Sequence, residues 1–249
     1  MLASLGLFAE RGSGGEVDEH SISNPRDGRA LTADIDGVLE VIELTFGVSA
    51  VALVISSAFG IPVGAWLGLH RFRGRGPLRT TVYTGMGLPP VVVGLAVYLV
   101  LSRQGPMGGL DWLFTPAGMV VAQVVIAFPI VAGLTSAALE GLDPEFPLQV
   151  RSLGANARQE AAAMLRQARG GVIAALLAAF GGIISEVGAA MLVGGNIEGK
   201  TRVLSTAIVL ETRRGEFATA LALGGVLLVL AFVVNAGLLR LQVTPRHPS

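Results

Sequence analysis

Apolar residues fall along this chain in five long runs separated by short polar stretches. Residues 45–69, 80–101, 113–139 and 217–239 contain no Asp, Glu, Lys or Arg, and residues 170–195 contain Glu186 alone. Each run has the roughly 20 or more mostly apolar residues needed to cross the hydrocarbon core of a bilayer. Pro62, Pro89, Pro90, Pro116 and Pro129 lie inside these runs; they would break many soluble helices, but membrane helices tolerate them better. The pattern predicts an all-α membrane protein with five transmembrane helices.

The polar stretches set the orientation. Arg71, Arg73, Arg75 and Arg79 follow the first run, Arg151, Arg158, Arg166 and Arg169 lie between the third and fourth, and Arg240 and Arg246 close the chain. With five spans these three regions share one side, and the excess of basic residues assigns it to the cytoplasm. The N-terminus is then outside and the C-terminus inside. The loop of Arg103 and Asp111 falls outside, as does the stretch 196–216, whose four basic residues fit the rule poorly. Residues 1–40 are polar, acidic on balance and glycine-rich at 12–15. They are expected to form a poorly ordered tail, without a cleavable signal peptide, because no basic start precedes a sufficient apolar core. Residues 41–241 form the expected membrane domain, and 242–249 a short cytoplasmic tail.

Composition agrees with lipid as the solvent. Only 14% of the residues are charged, against about a quarter in a soluble domain, and mean hydropathy is +0.66. Basic and acidic residues number 18 each, so net charge points to no polyanionic partner such as nucleic acid. The absence of cysteine excludes disulfides, thiolate metal sites and cysteine nucleophiles. His20, His70 and His247 lie too far apart in sequence to suggest a ligand set. The 34 glycines are scattered among the apolar runs, where small residues let membrane helices approach closely.

The cytoplasmic segment 140–169 reads as a short helix, a glycine break and a second helix. Asp143 is placed to cap a helix starting at Pro144, with Glu145 in its first turn. A helix-forming stretch resumes after Gly154 and Ala155. Such a segment is suited to docking a soluble partner, although composition alone favours a solvated linker. Here the sequence resembles the type I ABC importer permeases, whose cytoplasmic loop carries EAA, three residues, Gly, then Ile-x-Leu-Pro nine residues on. Arg151, Ser152, Leu153, Gly154, Ala155 and Asn156 match the core around the glycine. Leu148-Gln149-Val150 stand in place of EAA, and Met164-Leu165-Arg166-Gln167 in place of Ile-x-Leu-Pro; the literal EAA at 160–162 is out of register. The resemblance implies that these six residues form the loop that couples the permease to an ATPase subunit, where glycine permits close backbone approach.

Residues 194–201, GGNIEGKT, satisfy the phosphate-binding pattern G-x-x-x-x-G-K-T letter for letter. That pattern needs a preceding strand and a surrounding α/β domain, whereas the run before it is of membrane length. It is read as a decoy. The same residues resemble a segment shared by permeases for sulfate, molybdate and tungstate. The wider stretch 185–212 is most similar to the tungstate branch, and the resemblance spans about residues 41–240.

That resemblance implies a molybdate/methionine permease-like fold and no enzymatic activity on this chain. A homodimer would enclose the path of an oxyanion, tungstate first, with molybdate or sulfate as the alternative. It further implies an ABC ATPase dimer that holds ATP and Mg, an extracytoplasmic tungstate-binding protein, and residence in a bacterial or archaeal cytoplasmic (inner) membrane. No regulatory domain is expected after the last span. A tetrahedral dianion needs donors along its path, and Asn196, Lys200, Thr201, Arg202, Ser205 and Thr206 cluster at the outer end of the fourth run. The short run 203–210 reads either as an amphipathic helix at a pore mouth or as an ordinary loop. Glu186, the one acid inside a run, reads as a hydrogen-bonded structural or gating residue near a helix end. Gln123 and Asn235 read as interhelical hydrogen-bonding residues. From a different class, an ion-coupled transporter or a passive channel would work without an ATPase; the first would be favoured by inverted repeats and broken spans, and no convincing internal repeat is present.

Overall fold

The computed structural model describes the chain from Pro25 to Arg240, with side chains from Gly37 onward. Residues 1–24 and 241–249, which hold much of the expected N-terminal tail and the expected C-terminal tail, lie outside the described residues. Residues 25–40, assigned to that tail from their polarity, are helical instead: α1 runs Pro25–Leu69, and a proline at a first helical position has its φ already set. The chain divides into two units between Val38 and Leu39, and the helices described next belong to the second.

After α1 come α2 (Arg75–Met86), α3 (Pro90–Leu101), a 3-10 turn (Gly108–Leu110), α4 (Pro116–Glu140), α5 (Phe146–Ser152) and α6 (Ala157–Gln167). They are followed by α7 (Arg169–Ile184), α8 (Gly188–Gly194), α9 (Leu204–Arg214) and α10 (Phe217–Arg240). The described residues contain no strand. Gly37–Leu69, Pro116–Glu140 and Phe217–Arg240 are each long and apolar enough to cross a membrane alone. By length and composition the count rises to five if each of two bent pairs, α2 with α3 and α6 with α7, is one span; the second bends by 67°, and its apolar part is α7 (Arg169–Ile184).

Two of the predicted runs are not continuous helices. The run 80–101 turns by 102° between α2 and α3. Pro90 restricts Pro89 to extended backbone, at φ −60° and ψ 122°, and neither proline can donate to a helical ladder. The run 170–195 breaks at Ser185–Val187 between α7 and α8. Ser185 Oγ donates back to the Gly181 and Gly182 carbonyls, a bonding pattern that favours bending. Glu186 Oε1 accepts the Ala189 amide at 2.9 Å. That carboxylate satisfies a first-turn N–H of α8.

α4 lies at the centre, packed on α2, α3, α7 and α8. Its seam with α1 rests on Gly60, Gly64 and Gly68, spaced one turn apart along one face of α1. A Cβ at Gly60 would lie 2.9 Å from Val131 Cγ1, and one at Gly68 would lie 3.0 Å from the Ser136 carbonyl oxygen. The two backbones thus approach as only glycine permits, the small-residue packing of membrane helices. On the outside, α10 exposes Leu221, Leu228 and Phe232, a surface suited to an apolar surround.

Candidate functional site

Two loop systems carry most of the polar chemistry, and they lie at opposite ends of the apolar run 45–69 of α1. The Thr45 hydroxyl accepts the Leu204 amide at 2.9 Å, fixing the start of α9 to α1. Ala65 belongs to a buried cluster with Leu139, Met164 and Ala168 at the other end. Twenty helical residues separate Thr45 from Ala65, roughly 30 Å at 1.5 Å per residue, or one hydrocarbon thickness.

At the Ala65 end, α5 and α6 form the expected helix–glycine–helix. The first helix starts two residues later than predicted, at Phe146, and Asp143 does not cap it. Asp143 Oδ1 instead accepts the Glu145 amide at 2.9 Å, closing a local turn before Pro147 enters the first turn of α5. Gly154 adopts φ +85°, a conformation that costs other L-residues strain. Asn156 and Gln159 exchange side-chain-to-backbone bonds of 2.8 and 3.0 Å, a capping box that starts α6.

Arg151 meets Glu160 at 2.7 Å, tying α5 to α6. The hydrogen bond from Arg151 holds the Glu160 carboxyl below its ordinary range, and the same bond raises the Arg151 guanidinium. Phe146 and Met164 face the cluster beneath, whereas Leu148 and Leu153 are 63% and 87% exposed. The six residues matched from sequence, Arg151 through Asn156, thus form one exposed elbow.

Sequence reasoning missed the polar cluster beside this elbow. Glu140, the last residue of α4, receives Arg75 at 2.8 Å on Oε1 and Arg79 at 3.0 Å on Oε2. Ser136 Oγ donates to Oε1 at 3.2 Å, and Arg75 Nε donates to the Leu67 carbonyl at 2.9 Å. One signal was available: Arg75 and Arg79 stand one helical turn apart, and Glu140 is the acid that ends an apolar run.

At the Thr45 end, residues 195–203 form a compact loop with Gly195, Asn196 and Gly199 at positive φ. The amides of Lys200, Thr201 and Arg202 all point at the Ile197 carbonyl, at 3.2, 2.9 and 3.0 Å. Amides turned inward in this way cannot cradle a phosphate, and the preceding element is α8, not a strand. The candidate donors separate into two groups. Thr201 Oγ1 is buried, donating to the Gly194 carbonyl and accepting from the Ile197 amide. Thr206 Oγ1 binds the Val203 amide and carbonyl, and Ser205 Oγ donates to the Glu186 carbonyl at 3.0 Å. These three hydroxyls are engaged in holding the loop, α8 and α9 together.

The side chains of the other three make no hydrogen bond to the backbone among the described residues. Lys200 lines an open cavity of about 440 Å³ with Glu40 and Glu43. Arg202 pairs with exposed Glu198 at 3.2 Å, and its buried Nε, like Asn196 Oδ1, has no hydrogen-bond partner among the described residues. Within the bundle, Gln123 Nε2 donates to the Ile183 carbonyl at 3.4 Å, linking α4 to α7 as anticipated. Asn235 Oδ1 has no partner among the described residues.

The family of binding-protein-dependent transport system inner membrane components matches residues 60–246. The chain belongs to that family. Among relatives of this permease, a probable anion ABC transporter permease protein of Haloferax volcanii is 39% identical over 80% of this chain and 88% of its own. The tungstate uptake system permease protein of Peptoclostridium acidaminophilum is 38% identical over 82% of this chain and 90% of its own. A solved methionine ABC transporter in an inward-facing conformation aligns with a TM-score of 0.64 at 19% identity, over 90% of this chain and all of that one. The permease therefore has the type I importer fold, and α5–Gly154–α6 occupies the segment where the sequence resemblance located the ATPase-coupling loop.

Proposed function

We propose that this permease forms, with a second copy of itself, the membrane path of an ABC importer for tungstate. The observation that carries the reading is its 38% identity, over 82% of the chain, to a tungstate uptake permease. The exposed α5–Gly154–α6 elbow supports the ATPase dock. It presents Leu148 and Leu153 to solvent at the end of the bundle that also carries Arg71, Arg75 and Arg79. Basic residues at this end favour the cytoplasmic side, so the N-terminus lies outside and the C-terminus inside.

ATP and Mg reside on the partner ATPase, whose closure moves the elbows and tilts the spans. An external binding protein delivers the anion to the opposite end. There Lys200 and Arg202 supply positive charge, Asn196 adds a polar side chain, and Glu186 shapes the start of α8. Selectivity rests mainly with the binding protein. The test is uptake of trace tungstate in cells lacking the gene and in cells with it restored, against excess molybdate or sulfate. Tungstate uptake is expected to return with the gene, to require the ATPase, and to resist excess molybdate. Block by equal molybdate would assign the path to molybdate as well, and return of uptake without any ATPase would refute the importer.

A further inference from the structure

The cluster centred on Glu140 gathers the ends of three helices onto one carboxylate. Arg75 reaches it from the first residue of α2 while also holding the Leu67 carbonyl near the end of α1, and Arg79 reaches its second oxygen from the next turn of α2. A carboxylate at a helix C-terminus opposes the helix dipole, so α4 alone gives no reason for an acid there. The two arginines and Ser136 compensate it. Trp66 and Phe72 stack at 4.3 Å in the turn between α1 and α2, and Phe72 also packs on the buried cluster of Leu67, Val82 and Ala132 from α1, α2 and α4.

This cluster touches the segment read as the ATPase dock. Arg71, Arg75, Glu140, Asp143, Arg151 and Glu160 line one cavity of about 430 Å³. Below it, Ala65, Leu139, Met164 and Ala168 pack together, with Phe146 against them. A displacement of α5 and α6 therefore bears directly on the ends of α1 and α4.

From the cluster, α2 runs to the 102° elbow and on to α3. α3 meets α8 at Gly94, where a Cβ would lie 2.6 Å from Ala189 Cα. The Ala189 amide is the group bound by Glu186. A contiguous set of packed elements thus joins the dock to the break beside Glu186, the kind of connection that can carry coupling between distant sites.

We propose that Glu140 is a positioning residue for energy coupling: by gripping Arg75 and Arg79 it makes α2 and the α2–α3 elbow follow the ATPase-docking loop. This rests on reading 140–169 as that dock. Without the carboxylate the loop moves, but α2 does not follow, and ATP is hydrolysed without transport.

The test uses the permease reconstituted in liposomes with its ATPase and binding protein, measuring tungstate uptake and ATP hydrolysis together. For Glu140→Gln, uptake per ATP is expected to fall about fivefold or more, the lower end of typical coupling strengths, with the ATPase still bound and hydrolysing. Glu140→Asp, which keeps the charge, is expected to recover most of the ratio. A Glu140→Gln complex with wild-type uptake per ATP would overturn the proposal. So would a proportional loss of both activities, which marks general damage. Failure of the wild-type complex to take up tungstate with ATP would instead refute the functional reading beneath it.

Discussion

Gly154 shows how much one residue can decide. Its φ of +85° joins α5 to α6, and a Cβ placed there would meet nothing within 4 Å. The cost of substitution is therefore confined to the backbone, about 1–2 kcal/mol for an ordinary L-residue in this region, and greatest for a β-branched one. That corresponds to about a five- to thirtyfold loss of the elbow conformation. Gly154→Val is expected to lower ATP hydrolysis stimulated by the loaded binding protein by a factor in this range. Gly154→Asn, whose side chain tolerates left-handed backbone, should retain most of it; equal losses in the two would show that the conformation is not what matters. The glycine was legible in the sequence because it interrupts two helix-forming stretches. The Arg151–Glu160 bond across the elbow was not, since nothing in a sequence fixes the angle between two short helices.

At the scale of elements, apolar length identified the runs but not their breaks. Gly87, Pro89 and Pro90 were visible, yet a proline can either kink a membrane helix or be absorbed, as Pro62 in α1 and Pro129 in α4 are. Tertiary contact distinguishes these cases. α3 leaves the line of α2 and lies against α8, with Gly94 at the point of closest approach. Gly94→Ala forces α3 and α8 apart, because the obstructing atoms belong to the Ala189 backbone and Cβ. Overpacking of this kind typically costs about 1–3 kcal/mol. The thermal midpoint of the detergent-solubilised permease should fall accordingly. Gly225→Ala on α10 faces open space and should leave it unchanged or raise it, since Ala favours a helix interior; equal midpoints for both variants would remove Gly94 from the α3–α8 contact.

For the whole molecule, the two loop systems stand a membrane thickness apart, and the absence of cysteine provides a direct test of their sides. Each introduced thiol is unique. Leu153→Cys, on the exposed elbow, should react with an impermeant maleimide in inverted vesicles from cells lacking the ATPase and stay protected in intact cells. Lys200→Cys, on the exposed loop before α9, should behave in the opposite way. Labelling of both from the same side would contradict an arrangement in which the anion enters at one end and the ATPase docks at the other.

The sequence by itself determined the solvent, the helical class, the glycine elbow and the family resemblance. These follow from apolar run length, charge placement and local backbone preference, all of which act over a few consecutive residues. The tertiary structure alone decided which polar side chains are tied to the backbone. Thr201, Ser205 and Thr206 look equivalent to Lys200 and Arg202 along the chain, yet their hydroxyls are bound to backbone groups from Val203 itself to Glu186, nineteen positions before Ser205. It also brought Glu140 to Arg75 across 65 positions. Which charge finds which partner depends on how the helices pack, and the packing is set by the glycine seams and the two breaks rather than by any local pattern.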